Sequence, residues 1–203
     1  MKNNALCVIF IKYPEAGKVK TRLGRTIGME KAAEIYKKLA ENTVLSLKST
    51  DYDLMIAITP DEKKDEFRLW LGDMQYIAQA EGDLGEKMQN AFEYAFQKGY
   101  NQCIVTGSDI PELNKNIISE GFKALNNYDT VVGRAQDGGY YLIGMNCGAS
   151  DYSIFSNMIW STDTVLSETV KRLSVHGKTY AMLDTLDDID TEQDLLKFGD
   201  RFV

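Results

Sequence analysis

Histidine and cysteine are scarce in this sequence. His176 is the single histidine in 203 residues, and the three cysteines, Cys7, Cys103 and Cys147, lie far apart with no CxxC or Cys/His pattern. That shortage excludes a Cys/His zinc site and a disulfide framework. Cys7 and Cys103 fall inside apolar runs and read as buried, inert thiols, which suits a reducing cytoplasm. Basic tracts are missing too: 23 Lys and Arg against 30 Asp and Glu give a formal charge of -7. Without a dense Lys/Arg stretch there is no electrostatic footprint for a nucleic-acid backbone. Long apolar runs do not occur either. Met1 to Ile11 holds one lysine and a six-residue apolar run, too short for a signal-peptide core or a membrane span. Linkers, repeats and low-complexity segments are also lacking. With 44% hydrophobic and 26% charged residues, the expectation is one globular domain over residues 1–203.

What is present is an alternation of two periodicities. Leu6 to Ile11 is a continuous apolar run, as expected of a strand buried on both faces, and Lys12-Tyr13-Pro14 ends it. From Met29 to Leu47 apolar residues recur at helical spacing. The pattern continues with strands at 53–58, 74–78 and 102–106 and helices at 61–71, 86–97 and around 115–125. Such alternation implies crossover units, a mainly parallel sheet, and ligand-binding loops at the carboxyl ends of its strands. After a strand at 130–132 the texture changes. Asp137-Gly138-Gly139 is a turn signal leading into a strand at 140–144 of altered direction. A helix at 162–173, a strand at 178–183 and a helix at 191–198, with Thr191 and Asp194 spaced as a capping box, complete the chain.

Four constellations fall where such a fold places chemistry. In the loop after the first strand, Lys12, Lys18, Lys20, Arg22 and Arg25 form the one local concentration of positive charge. Gly17 lets the backbone approach a ligand, and the cations suit a pyrophosphate. A P-loop is excluded, since Lys12 and Val19 stand where that motif needs glycine and Ser/Thr. In Thr106-Gly107-Ser108-Asp109-Ile110-Pro111, Asp109 is either a ligand for a hard dication, Mg²⁺ or Mn²⁺, or a helix N-cap or turn aspartate. Ser108 has no GxSxG frame and is not a hydrolase nucleophile. In the third, Asp137, Gly138, Gly139 and Tyr140 either hold sugar or acceptor hydroxyls or make a plain hairpin, and Trp160-Ser161-Thr162 offers either an aromatic wall and helix-end donors or a core Trp followed by an ordinary N-cap. The fourth, Asp184 to Asp190, carries four acids within seven residues, either a solvated surface or the completion of a metal site with Asp109. A further loop, Gln79 to Glu86, has glycines suited to contact with a nucleobase.

In order, KYPEAGKVKTRL, GDLGEKM, TGSDIPEL, GRAQDGGYYLIGM, WSTDTVLSET and DDIDTEQDL resemble a bacterial family labelled nucleotide-diphospho-sugar transferase, or arsenosugar-biosynthesis-type glycosyltransferase. They are similar, more distantly, to molybdenum-cofactor and phospholactate guanylyltransferases. The resemblance runs from about Leu6 to Leu195 and implies the three-layer, Rossmann-like GT-A fold, an α/β architecture on a mainly parallel mixed sheet. It implies that Lys20 and Arg22 meet phosphates and that Gly82, Asp83 and Gly85 lie near the base. Asp109 and Asp190 would hold the metal, and Asp137 to Tyr140 would face sugar or acceptor. Two departures stand out: Gly133-Arg134-Ala135 replaces the family's Gly-Pro-Ala, and Lys20-Thr21-Arg22 replaces the GxGTR signature of many sugar-nucleotide pyrophosphorylases. The leading expectation is a metal-dependent glycosyltransferase using a nucleoside diphosphate-sugar and a small-molecule acceptor, with Asp109 and Asp137 catalytic. The alternatives are a guanylyltransferase-like nucleotidyltransferase releasing pyrophosphate and a non-catalytic nucleotide-binding protein.

Overall fold

A computed structural model of the chain describes residues 4–199 and 202, so the outermost ends of the expected domain, including Met1 and Lys2, lie outside the described residues. Seven strands form one sheet: β1 (Ala5–Lys12), β2 (Asp53–Thr59), β3 (Gln75–Ala78), β4 (Gln102–Thr106), β5 (Thr130–Ala135), β6 (Tyr140–Asn146) and β7 (Tyr180–Leu186). Their spatial order is β3-β2-β1-β4-β6-β5-β7. All neighbours are parallel except β6, which runs against both β4 and β5. The altered direction expected after Gly139 is therefore real.

The helices are α1 (Thr21–Ile27), α2 (Met29–Ser46), α3 (Lys64–Leu71), α4 (Leu84–Gln97), α5 (Lys115–Ala124), α6 (Val165–Val175) and α7 (Glu192–Lys197). Alternate side chains of a strand point to opposite faces, and β1 shows what that does to the core. Cys7, Ile9 and Ile11 pack with Ala40 and Val44 of α2 and with Ile118 and Phe122 of α5. Leu6 and Val8 pack on the other face with Met88, Phe92 and Ala95 of α4 and Leu173 of α6. Helices thus cover both faces, and β1, in the middle of three layers, has to be apolar throughout. No helix among the described residues is long and apolar enough to cross a membrane.

Several boundaries differ from the sequence expectation, each for a local reason. The basic loop is shorter than expected, because α1 begins at Thr21 and buries Leu23 against Ile35 and Leu39 of α2. Helix α4 begins at Leu84 rather than Glu86: Asp83 accepts from Glu86 N at 3.0 Å while the Glu86 carboxylate accepts from Asp83 N at 2.8 Å, a reciprocal capping box. Residues 61–63 form a 3₁₀ turn ahead of α3, and Met74 precedes β3. Helix α6 starts only at Val165, so Ser161 lies before it and offers no helix-end donor. The capping box expected at Thr191 and Asp194 is present.

Candidate active site

The carboxyl ends of the parallel strands make a rim on which the basic loop, the Asp109 loop and the acidic segment meet. Gly17 (φ 74°) turns the exposed outer part of the basic loop, and the chain then passes through Lys20 at φ 44°, ψ 45° before entering α1. A left-handed lysine is costly unless the surroundings fix it. Here they do. The Lys20 side chain is only 5% exposed, and its Nζ lies 2.7 Å from Asp109 Oδ2 and 3.7 Å from Asp190 Oδ1. Burial works to lower the Lys20 pKa, but pairing with Asp109, then Asp190 and Asp188, outweighs it and the net direction is upward. Arg22 Nη1 donates to Asp190 Oδ2 at 2.6 Å from a largely solvated side chain.

Asp109 follows a bend at Ser108 beyond β4, five residues before Asn114, whose side chain is the N-cap of α5. The N-cap reading of Asp109 is thereby ruled out. Its carbonyl accepts from Ile189 N at 3.4 Å, which docks the acidic segment onto this loop. Within that segment Asp187 pairs with Lys197 and Asp190 with the two basic-loop cations, while Asp184 and Asp188 make no such pair among the described residues. Burial pushes the Asp188 carboxyl up to about 6; Lys20 opposes the shift, and Asp109, Asp137 and Asp190 add to it. Ser108 is buried, with its Oγ 3.2 Å from Tyr36 Oη, which fits the rejection of a nucleophilic serine.

Asp137-Gly138-Gly139 is indeed a tight hairpin tip between β5 and β6. Asp137 Oδ1 accepts from Gly139 N at 2.9 Å, and Ala135 N donates to Gly139 O at 3.1 Å. Gly138 (φ 88°) has the Asp163 backbone where a side chain would begin, 2.7 Å from the Asp163 Cα. Arg134 turns to the sheet and donates from Nε to Leu183 O at 3.1 Å. A cavity of about 330 Å³ lies beside the hairpin, walled by Asp109, Asp137, Gly139, Tyr140, Trp160 and Asp188 among others, Ser161 included. Trp160 meets Tyr140 edge to face with ring centroids 6.5 Å apart, and its buried Nε1 has no partner among the described residues.

Most of the residues expected from sequence converge: Lys20, Arg22, Asp109 and Asp190 form one ionic cluster, and Asp137, Gly139, Tyr140, Trp160 and Ser161 line the cavity that Asp109 shares. Others stand apart. Lys12 and Gly17 are exposed and line neither this cavity nor the one next to it, while Asp83 and Gly85 line a separate cleft with Glu86 and Phe155. Gly85 has a packing reason to be glycine, since an added Cβ would meet Trp160 Cζ2 at 2.8 Å and Phe155 Cβ at 2.9 Å. Gly82 (φ 102°) sits against the Glu86 carboxylate. Sequence reading took Asp188 only as one of the four acids of its segment and did not single it out. The available signal was its two-residue offset from Asp190, which puts both on one side of an extended segment.

No group of three or more His, Cys, Asp or Glu residues that could hold a metal ion occurs among the described residues. Asp109 and Asp190 are nevertheless hard oxygen donors of the kind a dication takes alongside substrate oxygens, and a cation, the Lys20 ammonium, already stands between them.

The family described as "Uncharacterized protein conserved in bacteria (DUF2064)" matches residues 43–162. The chain belongs to this family. It is also similar to the crystal structure of a "putative nucleotide-diphospho-sugar transferase" from Desulfovibrio desulfuricans G20, at 34% identity and a TM-score of 0.93, covering 98% of this chain and 87% of that one. Two further structures share the fold alone. One is CMP:2-keto-3-deoxy-manno-octonic acid synthetase complexed with CTP, at 12% identity and TM-score 0.56, covering 98% of this chain and 97% of that one. The other is 4-diphosphocytidyl-2C-methyl-D-erythritol synthase from Anaerococcus prevotii DSM 20548, at 12% and 0.59, covering 96% and 94%. No curated protein matches the chain by sequence. The family member thus has the α/β fold of nucleotide-diphospho-sugar transferases and nucleotidyltransferases.

Proposed function

We propose that this family member is a metal-dependent glycosyltransferase that takes a nucleoside diphosphate-sugar and a small-molecule acceptor. The observation that carries the reading is the buried Lys20 ammonium held between Asp109 and Asp190 at the edge of a cavity lined by further carboxylates. A buried cation that can exchange carboxylate for phosphate partners, with Arg22 beside it, suits a departing diphosphate. Asp109 and Asp190 would hold Mg²⁺ or Mn²⁺, which supplies charge stabilisation of the diphosphate when bound. Asp137 and Asp188 line the cavity and are the carboxylates placed to take the proton of an acceptor hydroxyl as its oxygen bonds to the sugar carbon. Trp160 and Tyr140 give that cavity an aromatic wall on which a sugar ring can lie.

The same parts would serve a nucleotidyltransferase, and the cytidylyl-transferring structures of similar fold favour keeping that second reading. Products separate the two. With UDP-, GDP-, CDP- and dTDP-sugars and Mn²⁺, release of a nucleoside diphosphate that is lost in Asp109→Asn is the expected result. Pyrophosphate release from a nucleoside triphosphate and a phosphorylated acceptor, with no diphosphate formed from any sugar nucleotide, would overturn it.

A further inference from the structure

Strand β1 runs on past its neighbour β4: their pairing ends at Ile9 and Thr106, whereas β1 continues to Lys12. Tyr13 N donates to Thr59 O on the β2 side at 2.8 Å, so the N–H of Lys12, one residue earlier, faces the side that β4 has left. An amide there needs another partner. Tyr36 of α2 supplies it, its Oη accepting from Lys12 N at 2.9 Å. The same Oη lies 3.2 Å from Ser108 Oγ, and Thr43, two turns along the same helix, donates from Oγ1 to Ser108 O at 3.3 Å. The Tyr36 ring packs with Val19 and Ala33.

Val19 and Ser108 are the residues immediately before Lys20 and Asp109. One buried side chain thus grips both loops next to the ion pair that joins them at 2.7 Å. The left-handed backbone of Lys20 persists only where its surroundings fix it, and Val19 held on the Tyr36 ring is part of that fixing. Tyr36 belongs to the walls of neither cavity at the rim, so it acts through the pair and not on a ligand. We infer that Tyr36 is a positioning residue: its hydroxyl, bridging Lys12 N and Ser108 Oγ, sets the Lys20 ammonium against the Asp109 carboxylate and thereby the anion affinity of the cluster. The inference rests on the transferase reading only for the anion that Lys20 takes.

The test compares Tyr36→Phe with Tyr52→Phe in the full chain. Tyr36→Phe keeps the ring on Val19 and deletes only the bridge. Tyr52, just before the amino end of β2, donates from Oη to Leu47 O at 2.7 Å, so Tyr52→Phe loses a hydroxyl bond of like kind at the far end of the sheet. Inorganic pyrophosphate, titrated calorimetrically in EDTA where every variant is folded, should bind Tyr36→Phe about tenfold more weakly than the parent, the weight of one hydrogen bond, and Tyr52→Phe as tightly as the parent. With ¹⁵N-labelled lysine, the Lys20 ammonium resonance should move and exchange faster with water in Tyr36→Phe alone. Should Tyr36→Phe not fold, Ser108→Ala, which removes the partner hydroxyl, should give both changes in smaller measure. Parental pyrophosphate affinity with an unmoved Lys20 resonance would overturn the inference and leave the transferase reading standing. Equal responses in Tyr36→Phe and Tyr52→Phe would also overturn it, since the bridge would then be one structural bond among others. A parent that binds no pyrophosphate would sink the transferase reading of the cluster, and a Lys20 resonance that moves in Tyr36→Phe alone would still establish the positioning role.

Discussion

Replacing Lys20 by methionine keeps the side-chain stem and removes the charge, leaving two carboxylates facing each other across the space the ammonium filled. At about 4 Å and an effective dielectric of about 20, one such pair attracts by about 4 kcal/mol in gross terms. Desolvation of a side chain that is 5% exposed offsets much of this. Asp109 and Asp190 retain 32% and 31% exposure, which screens the remainder. Lys20→Met should therefore destabilise the metal-free protein by roughly 2–3 kcal/mol, and Asp109→Asn by about 1–2 kcal/mol, since Lys20 keeps Asp190. The two effects cannot be independent. The double variant should cost less than the sum of the singles by about 1–2 kcal/mol, read from urea midpoints at constant m-value in EDTA. Nucleotide-free Lys20→Met should also bind Mn²⁺ more tightly than the parent, because the competing cation is gone. Additivity within about 0.3–0.5 kcal/mol would mean that the short Lys20–Asp109 distance carries no energy, and the reasoning would fail.

Other expected outcomes follow from the same geometry. Arg22 is 67% exposed, so Arg22→Ala should change stability by less than about 1 kcal/mol yet weaken nucleoside diphosphate binding about tenfold in calorimetry. Unchanged affinity would remove it from the site. Asp188 is pushed up to about 6 in the folded chain from an ordinary 3.8. Between those values the native state holds more protons than the unfolded one, so stability should rise as pH falls from 7 to 4 and level off below. Solvent screening reduces the contribution to about 1–2 kcal/mol, and Asp188→Asn should flatten that part of the urea-midpoint profile; an unchanged slope would refute the assignment. Gly85→Ala places a methyl against Trp160 and Phe155 and should cost about 1–3 kcal/mol and shift the tryptophan emission, whereas a stability gain would show that the contact relaxes freely.

The fold was legible because β1 and its neighbours are buried on both sides, so alternation of strand and helix survives in the composition of each segment. Boundaries were less legible where tertiary contact decides them. Helix α1 is held by Leu23 against α2, and seven residues with a glycine at position 24 give little local signal. Site residues separated in the same way. Lys20, Asp109 and Asp190 lie 89 and 81 residues apart in sequence; their position after strand ends was enough to place them on one rim, whereas the ion pairs of Lys20 with both acids were not foreseen. The packing role of Gly85 was not legible, since a glycine beside a ligand and a glycine beneath an indole leave the same letter in the chain. Asp188 could not be told from the other acids of its segment, because what distinguishes it, partial burial among Asp109, Asp137 and Asp190, exists only after the chain has folded.

The reversal of β6 has a mechanical consequence. One wall of the cavity is a hairpin tip gripped by two ladders at once, β5 against β6 on one side and β5 against β7 on the other. Asp137 and Gly139 can be displaced only by unzipping paired backbone, and Leu166 N, donating to Gly138 O at 3.0 Å, pins the tip to the first turn of α6 as well. The ionic cluster beside the cavity is anchored differently: the loop that delivers Lys20 is held by two short turns, Glu15 N to Tyr13 O and Lys18 N to Glu15 O, by the Glu15–Lys63 pair at 3.3 Å, and by Lys20 itself on Asp109. A ligand entering the cavity meets a hairpin that yields only by unzipping, and an anion beside it meets a lysine that can turn only by exchanging one negative partner for another.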